Sequence, residues 1–137
     1  MLAEEVRIPT NEKGFTLIEL IVIIVIIGIL AGVAITRYRD LTRNVTDGTA
    51  KGVLGALRGQ NALMFSQRVV RGTTATYTMR DIANNMGGLR GFSWTAAATR
   101  FTMTIARNTY TFTLTPTPRA PTTLGSITAG AGTFTRW

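Results

Sequence analysis

Phe15-Thr16-Leu17-Ile18-Glu19-Leu20-Ile21-Val22-Ile23-Ile24-Val25-Ile26-Ile27-Gly28-Ile29-Leu30-Ala31-Gly32-Val33-Ala34-Ile35 is the stretch that decides the fold. Of its 21 residues 17 are apolar, against 40 of the 102 from Thr36 to Trp137. At ~1.5 Å per residue a helix of this length measures roughly 31 Å, which matches the ~30 Å hydrocarbon core of a bilayer. The Ile and Val content would suit a buried strand, but a lone strand cannot satisfy its backbone hydrogen bonds in lipid, so a membrane selects the helix. Gly28 and Gly32 form a G-x-x-x-G pair on one face, a pattern that admits close approach by another helix.

A cleaved secretory signal is one rival, with Gly32-Val33-Ala34 as its small-x-small site, but its apolar region normally spans ~7 to 15 residues. An ordinary uncleaved signal anchor is another. Glu19 disfavours both, since a carboxylate costs at least ~2.5 kcal/mol at mid-bilayer and less toward the edge. An acid inside a span marks function; the alternative is a carboxylate near enough to the interface to reach water.

Lys13-Gly14-Phe15-Thr16-Leu17-Ile18-Glu19-Leu20 and the Ile/Val run behind it resemble the N-terminal signal of type IV pilins and of the pseudopilins of type II secretion. The resemblance covers residues 13 to about 38. It implies that a prepilin peptidase cuts between Gly14 and Phe15 and methylates the new N-terminal amine of Phe15. It also implies that Glu19 meets the amine of Phe15 on a neighbouring copy during filament assembly. The family often carries a proline near the position of Thr36, which implies a straighter helix here. The leader departs as well: Glu4, Glu5 and Glu12 outweigh Arg7 and Lys13, and Arg37, Arg39 and Arg43 lie on the far flank. A positive-inside count places the N-terminus outside, whereas the family topology holds it in the cytoplasm with the head exported.

Helical spacing continues past the span through Leu41, Val45, Thr49, Val53, Leu57, Leu63, Met64 and Val70. Arg43, Asp47, Lys51 and Arg58 are expected on the opposite, wet face. Gly48, Gly52, Gly55 and Gly59 fall within a narrow arc of the helix and each costs roughly 0.8 to 1.0 kcal/mol of propensity relative to Ala. They read as close packing in a segment able to stretch, or as a break near Gly48. Gly72 ends the helix. Arg100 to Ile105 and Thr109 to Leu114 alternate polar with apolar around Arg107-Asn108, the strongest hairpin signal, with Phe101, Met103, Ile105, Tyr110, Phe112 and Leu114 on one face. Thr74 to Met79, Leu124 to Thr128 and Thr133 to Trp137 are further strand candidates. Arg80 to Met86 reads as a short helix or turn ending at Gly87-Gly88, and Thr115 to Pro121 as an extended linker.

The expected architecture is therefore α+β: a leader over 1–14, a transmembrane and assembly helix over 15–36, its amphipathic continuation over 37–71, and a β-rich head over 72–137. A small antiparallel sheet of three to four strands packs on the helix, in accord with the family's fold.

The chain contains no Cys and no His. Disulfides, thiolate chemistry, Cys/His metal sites and a His base are excluded, and no acid/base pair or activated nucleophile is evident. Asp40, Asp47 and Asp81 are too scattered for a calcium site. The absence of the calcium device found in major pseudopilins tilts the reading away from them. No cofactor, metal or catalytic role is expected. Asn44-Val45-Thr46 fits a glycosylation sequon, a triplet frequent by chance.

The net charge of +8 is unevenly placed: residues 1–14 carry −1, the span −1 at Glu19, and residues 36–137 carry +10 from thirteen basic and three acidic side chains. The resemblance implies a structural filament subunit, made as an inner-membrane precursor and polymerised into a helical homo-oligomer by an assembly platform and motor. One alternative is a pseudopilin of the periplasmic secretion apparatus. Another is a competence-type subunit whose basic head captures DNA through Arg80, Arg90, Arg100, Arg107, Arg119 and Arg136, with Trp94 or Trp137 for stacking. Such arginines more often form a solvated face or bridge subunits.

Overall fold

A computed structural model describes residues 14–130 and Phe134. In chain order it contains α1 (Leu17–Val70), α2 (Met79–Asn84), β1 (Ser93–Ala96), β2 (Arg100–Ile105), β3 (Asn108–Thr115) and β4 (Ser126–Ala129). Compact units divide between Asp40 and Leu41. The first holds the apolar part of α1; the second combines the remainder of that helix with α2 and a four-stranded sheet.

In the second unit α1 runs without interruption through Gly48, Gly52, Gly55 and Gly59, so there is no break at Gly48. The opposite side of the helix supplies the compensation. Thr46, Ala50, Val53, Leu54, Leu57, Asn61 and Met64 are buried on one face at helical spacing, and each large apolar side chain covered there contributes about 1.5–3 kcal/mol.

The covered face is rotated from the one expected. Val53, Leu57 and Met64 are buried, but Leu41, Val45, Leu63 and Val70 remain exposed, as does Thr49. The small residue Ala50 and the polar residues Thr46 and Asn61 define the true axis of contact, whereas size and hydropathy drew the expectation toward the wrong side. Three of the residues expected on the wet face instead flank the covered one. Asp47 accepts a hydrogen bond from the Tyr110 hydroxyl at 2.7 Å, Arg58 Nε donates to the Ile127 carbonyl at 2.8 Å, and the Lys51 ammonium lies 5.9 Å from the Phe134 ring centroid.

At its C-terminus α1 closes in a Schellman motif. Gly72 adopts φ 65°, its N–H bonds the Val69 carbonyl, and the Thr73 N–H bonds the Arg68 carbonyl. Glycine meets the left-handed requirement without a Cβ penalty. Beyond it, the stretch from Thr74 to Met79 is not a strand: only Thr76 makes a bridge, to Arg119. Thr78 is committed to capping α2, accepting from the Asp81 N–H while its own N–H donates to the Asp81 carboxylate, a reciprocal capping box. The helix or turn expected over Arg80 to Met86 is α2, followed by Gly87 and Gly88 at positive φ.

The sheet is antiparallel throughout, in the order β1-β2-β3-β4. Its centre is the expected hairpin, with Phe101 opposite Phe112 and Met103 opposite Tyr110. These four and Leu114 are buried, while Ile105 is only partly covered. Ala106 and Arg107 form the two-residue turn, with φ of 44° and 74°, the handedness that matches strand twist. Asn108 therefore begins β3 rather than lying in the turn, and its side chain donates to Thr46 Oγ1. β1 went unforeseen, since its four residues carry neither a long alternation nor a β-branched run. Trp94 on β1 stacks on Phe101 at 5.6 Å between centroids.

The segment after β3 is a folded loop rather than an extended linker. Arg119 and Thr123 exchange backbone hydrogen bonds, and Pro118 and Ala120 are buried. β4 falls within the expected Leu124 to Thr128 region and extends to Ala129. At this outer strand Arg58 and Asn61 from α1 occupy the carbonyls of Ile127 and Gly125. At the other outer strand the Arg80 guanidinium occupies the Ala96 carbonyl. The further strand expected over Thr133 to Trp137 lies outside the described residues except for Phe134, which is not in a strand and packs on Tyr110 and Phe112.

Candidate functional site

The first unit is built around the start of α1. Gly14, Phe15 and Thr16 precede the helix, and Thr16 caps it: its hydroxyl accepts the Glu19 N–H at 3.3 Å. Glu19 thus sits three positions after the cap, in the first turn. A carboxylate there faces the positive end of the helix dipole, worth typically ~0.3–1 kcal/mol, and the T-x-x-E spacing is the signature of an N-terminus. Thr16 was missed as a site residue although that signature was present in the quoted string.

The apolar wall behind Glu19 is not covered by any of the described residues. By length and composition this part of α1 is able to cross a membrane, and none of its most apolar window is buried. Phe15, the residue expected to become the N-terminus, is 73% exposed. Among the described residues, nothing beyond the helix's own neighbouring backbone lies within 4 Å of a Cβ placed at Gly28 or Gly32. Both glycines are open to an approaching helix. At Thr36, where a proline would remove a backbone donor, α1 continues, and the side-chain hydroxyl bonds back to the Val33 carbonyl at 2.8 Å.

A second set of polar groups, invisible in the sequence, ties the later half of α1 to the head. The Tyr110 hydroxyl bonds Thr46 Oγ1 at 3.0 Å as well as Asp47. Asn61 donates to the Gly125 carbonyl at 2.6 Å and accepts from the Tyr77 hydroxyl at 2.8 Å. Burial pushes both tyrosine hydroxyls above their ordinary value of 10.0, so each remains a neutral donor. No buried side-chain polar atom among the described residues lacks a partner.

The arginines weighed as a nucleic-acid surface do not form one group. Arg80 and Arg100 flank the corner after β1, where Arg80 holds the Ala96 carbonyl and the Arg100 carbonyl accepts the Ala97 N–H. Arg107 is at the opposite end of the β2–β3 hairpin, roughly 20 Å away at 3.3 Å per residue. Arg90 lies beside Gly88, Arg119 belongs to the loop before β4, and Arg136 and Trp137 are outside the described residues. Trp94, the other stacking candidate, is already engaged by Phe101.

Residues 9–35 match the family model of the prokaryotic N-terminal methylation motif. A type IV narrow pilus major component of Thermus thermophilus is 35% identical over 105 residues, covering 76% of this chain and 87% of that protein. A fimbrial protein of Pseudomonas aeruginosa is 38% identical over 73 residues, 52% of this chain. This chain spans about half (47%) of that fimbrial protein's length. A type IV major pilin of Neisseria gonorrhoeae is 61% identical over 33 residues, 24% of this chain and 20% of its own. No solved structure matches.

Proposed function

This chain belongs to the type IV pilin family, and from that premise we propose that it is an inner-membrane precursor cut between Gly14 and Phe15, methylated on Phe15 and polymerised into a pilus. The apolar start of α1 anchors the precursor and later packs against other copies. The exposure of this stretch, none of whose most apolar window is buried by the described residues, is the observation that carries the reading, because an apolar face of this size is stable only in lipid or against other helices. Glu19 supplies selectivity. A carboxylate in that surroundings is costly without a cation, and cleavage creates one, the new amine of Phe15. Pairing Glu19 with the amine of the next copy makes assembly conditional on processing.

Mass spectrometry of the mature N-terminus tests the first step: methylated Phe15 is expected, and a chain beginning at Ile35 overturns the reading. Glu19→Ala should be inserted and processed but yield few filaments, and normal filaments from it would sink the pairing. A periplasmic reporter fused after Trp137 should be active if the head is exported. Long filaments at the cell surface, rather than a short periplasmic assembly, distinguish a pilus from a secretion pseudopilus.

A further inference from the structure

Where α1 ends against the loop leading to α2, an open cleft of about 460 Å³ is lined by Met64, Gln67, Arg68, Arg71, Thr73, Ala75 and Asn85. Its volume falls in the range of small-molecule sites, ~300–1,000 Å³. We propose that this cleft binds an anionic sugar, a hexuronate or a chain ending in one, with its carboxylate on the Arg71 guanidinium and its hydroxyls on Gln67 and Thr73.

The hydrogen-bonding inventory selects that chemistry. Three backbone acceptors around the cleft are already engaged: the Arg68 carbonyl takes the Thr73 N–H, the Val69 carbonyl takes the Gly72 N–H, and the Ala75 carbonyl takes Arg68 Nη1 at 2.9 Å. Two of the carbonyls at the negative end of the helix, those of Arg68 and Val69, are thereby occupied. The donors are in the reverse condition. Among the described residues the side chains of Gln67, Arg71 and Thr73 make no hydrogen bond or ion pair, leaving a guanidinium fork, an amide and a hydroxyl at one opening.

Arg68 is held beside them, with its guanidinium 4.8 Å from the Tyr77 ring centroid, so a second positive charge is fixed at the rim. Among the described residues no carboxylate lines the cleft. Asp81, the acid whose carboxyl Arg68 reaches electrostatically, is committed to the cap of α2, where it accepts the N–H and the hydroxyl of Thr78.

Free donors beside two guanidinium groups, of which only Arg68 has an acid within electrostatic reach, call for a ligand rich in acceptors and negatively charged. Planar carboxylate fits the guanidinium fork bidentately, the ring hydroxyls of a sugar meet the amide and hydroxyl, and the exposed Ala75, beside the edge of the buried Met64, offers a small apolar contact to a pyranose. The net charge of +8 favours the approach of anions generally, but it does not by itself choose this cleft.

Titration of the full chain in detergent with sodium glucuronate, followed by NMR of the arginine Nε–H signals, tests the proposal. Saturable shifts of Arg71 with Kd in the millimolar range are expected, with at least tenfold weaker binding in Arg71→Gln. Glucose should not bind. Gln67→Ala, which leaves the charge intact, should weaken glucuronate several-fold and leave inorganic phosphate unaffected. Absence of shifts up to about 20 mM glucuronate, unchanged binding in Arg71→Gln, or phosphate binding as tight as glucuronate would each overturn the assignment. The outcome is independent of whether the chain forms filaments.

Discussion

Replacing the four glycines on the exposed side of α1 by alanine should make the subunit more stable. Gly48, Gly52, Gly55 and Gly59 are helical, and a Cβ at any of them meets nothing within 4 Å. No packing term opposes the change, so the helix-propensity difference of roughly 0.8–1.0 kcal/mol per residue applies, part of it through lower entropy of the unfolded chain. A single Gly55→Ala should add about 1 kcal/mol, or some 4–8 °C in Tm for a domain of 60–100 residues. The quadruple variant should approach 3–4 kcal/mol if the sites add. The assay is thermal unfolding of the mature chain in detergent, followed by near-ultraviolet circular dichroism so that the head rather than the membrane segment is read. A lowered or unchanged Tm in Gly55→Ala would refute the reasoning, since it would mean that the glycines answer some demand within the subunit. Filament yield, measured in parallel, separates the two roles: a fall in yield despite a raised Tm places the glycines at contacts between copies.

Gly125→Ala should have the opposite effect, because its Cβ would lie 2.5 Å from the Pro116 carbonyl oxygen and 2.8 Å from Leu114 Cδ1; a loss of about 1–3 kcal/mol is expected in denaturant unfolding. Asn61→Leu removes the partner of the Gly125 carbonyl and the Oδ1 acceptor of the Tyr77 hydroxyl. It should cost about 2–4 kcal/mol, against about 1 kcal/mol for Tyr77→Phe, and equal losses in the two would contradict the network. Thr78 hydrogen bonds hold the Asp81 carboxyl below its ordinary value of 3.8, outweighing burial. Because the folded value is the lower one, its stabilisation is complete above about 3.8 and is lost as pH falls through the depressed value. Asp81→Asn should therefore flatten the dependence of Tm on pH below 4 while leaving its shape above 5 unchanged.

The parts of the fold legible in the sequence are those with one dominant period. The apolar run around Gly28, the 2-residue alternation through Phe101 and Phe112, and the stop at Gly72 each follow from a local rule. Misreadings arose where the decisive residues were small or polar. The buried axis of α1 is set by Ala50, Thr46 and Asn61, whose covering depends on hydroxyls and carbonyls brought from more than 60 residues away. β1 is stabilised by pairing with β2 rather than by its own composition. Thr74 to Met79 looked like a strand, yet Thr78 and Asp81, three apart, carried a capping signal that outranked it. At the candidate site Gly14, Phe15 and Glu19 could be proposed from the sequence because they belong to one contiguous string. The donor-rich cleft was not, because Gln67, Arg71, Thr73 and Asn85 meet only after α1 has turned at Gly72.

The occupied outer carbonyls of the sheet bear on how a polymer of this protein stays orderly. In the proposed filament, identical heads would be held side by side at an effective concentration that no free solution reaches, the condition under which open strand edges join into cross-β stacks. Arg58 and Asn61 on β4, with Arg80 on β1, fill main-chain acceptors that an incoming strand would need. On the proposed reading growth is left to the helix, and a subunit stripped of these side chains is one whose heads are freer to fuse with their neighbours.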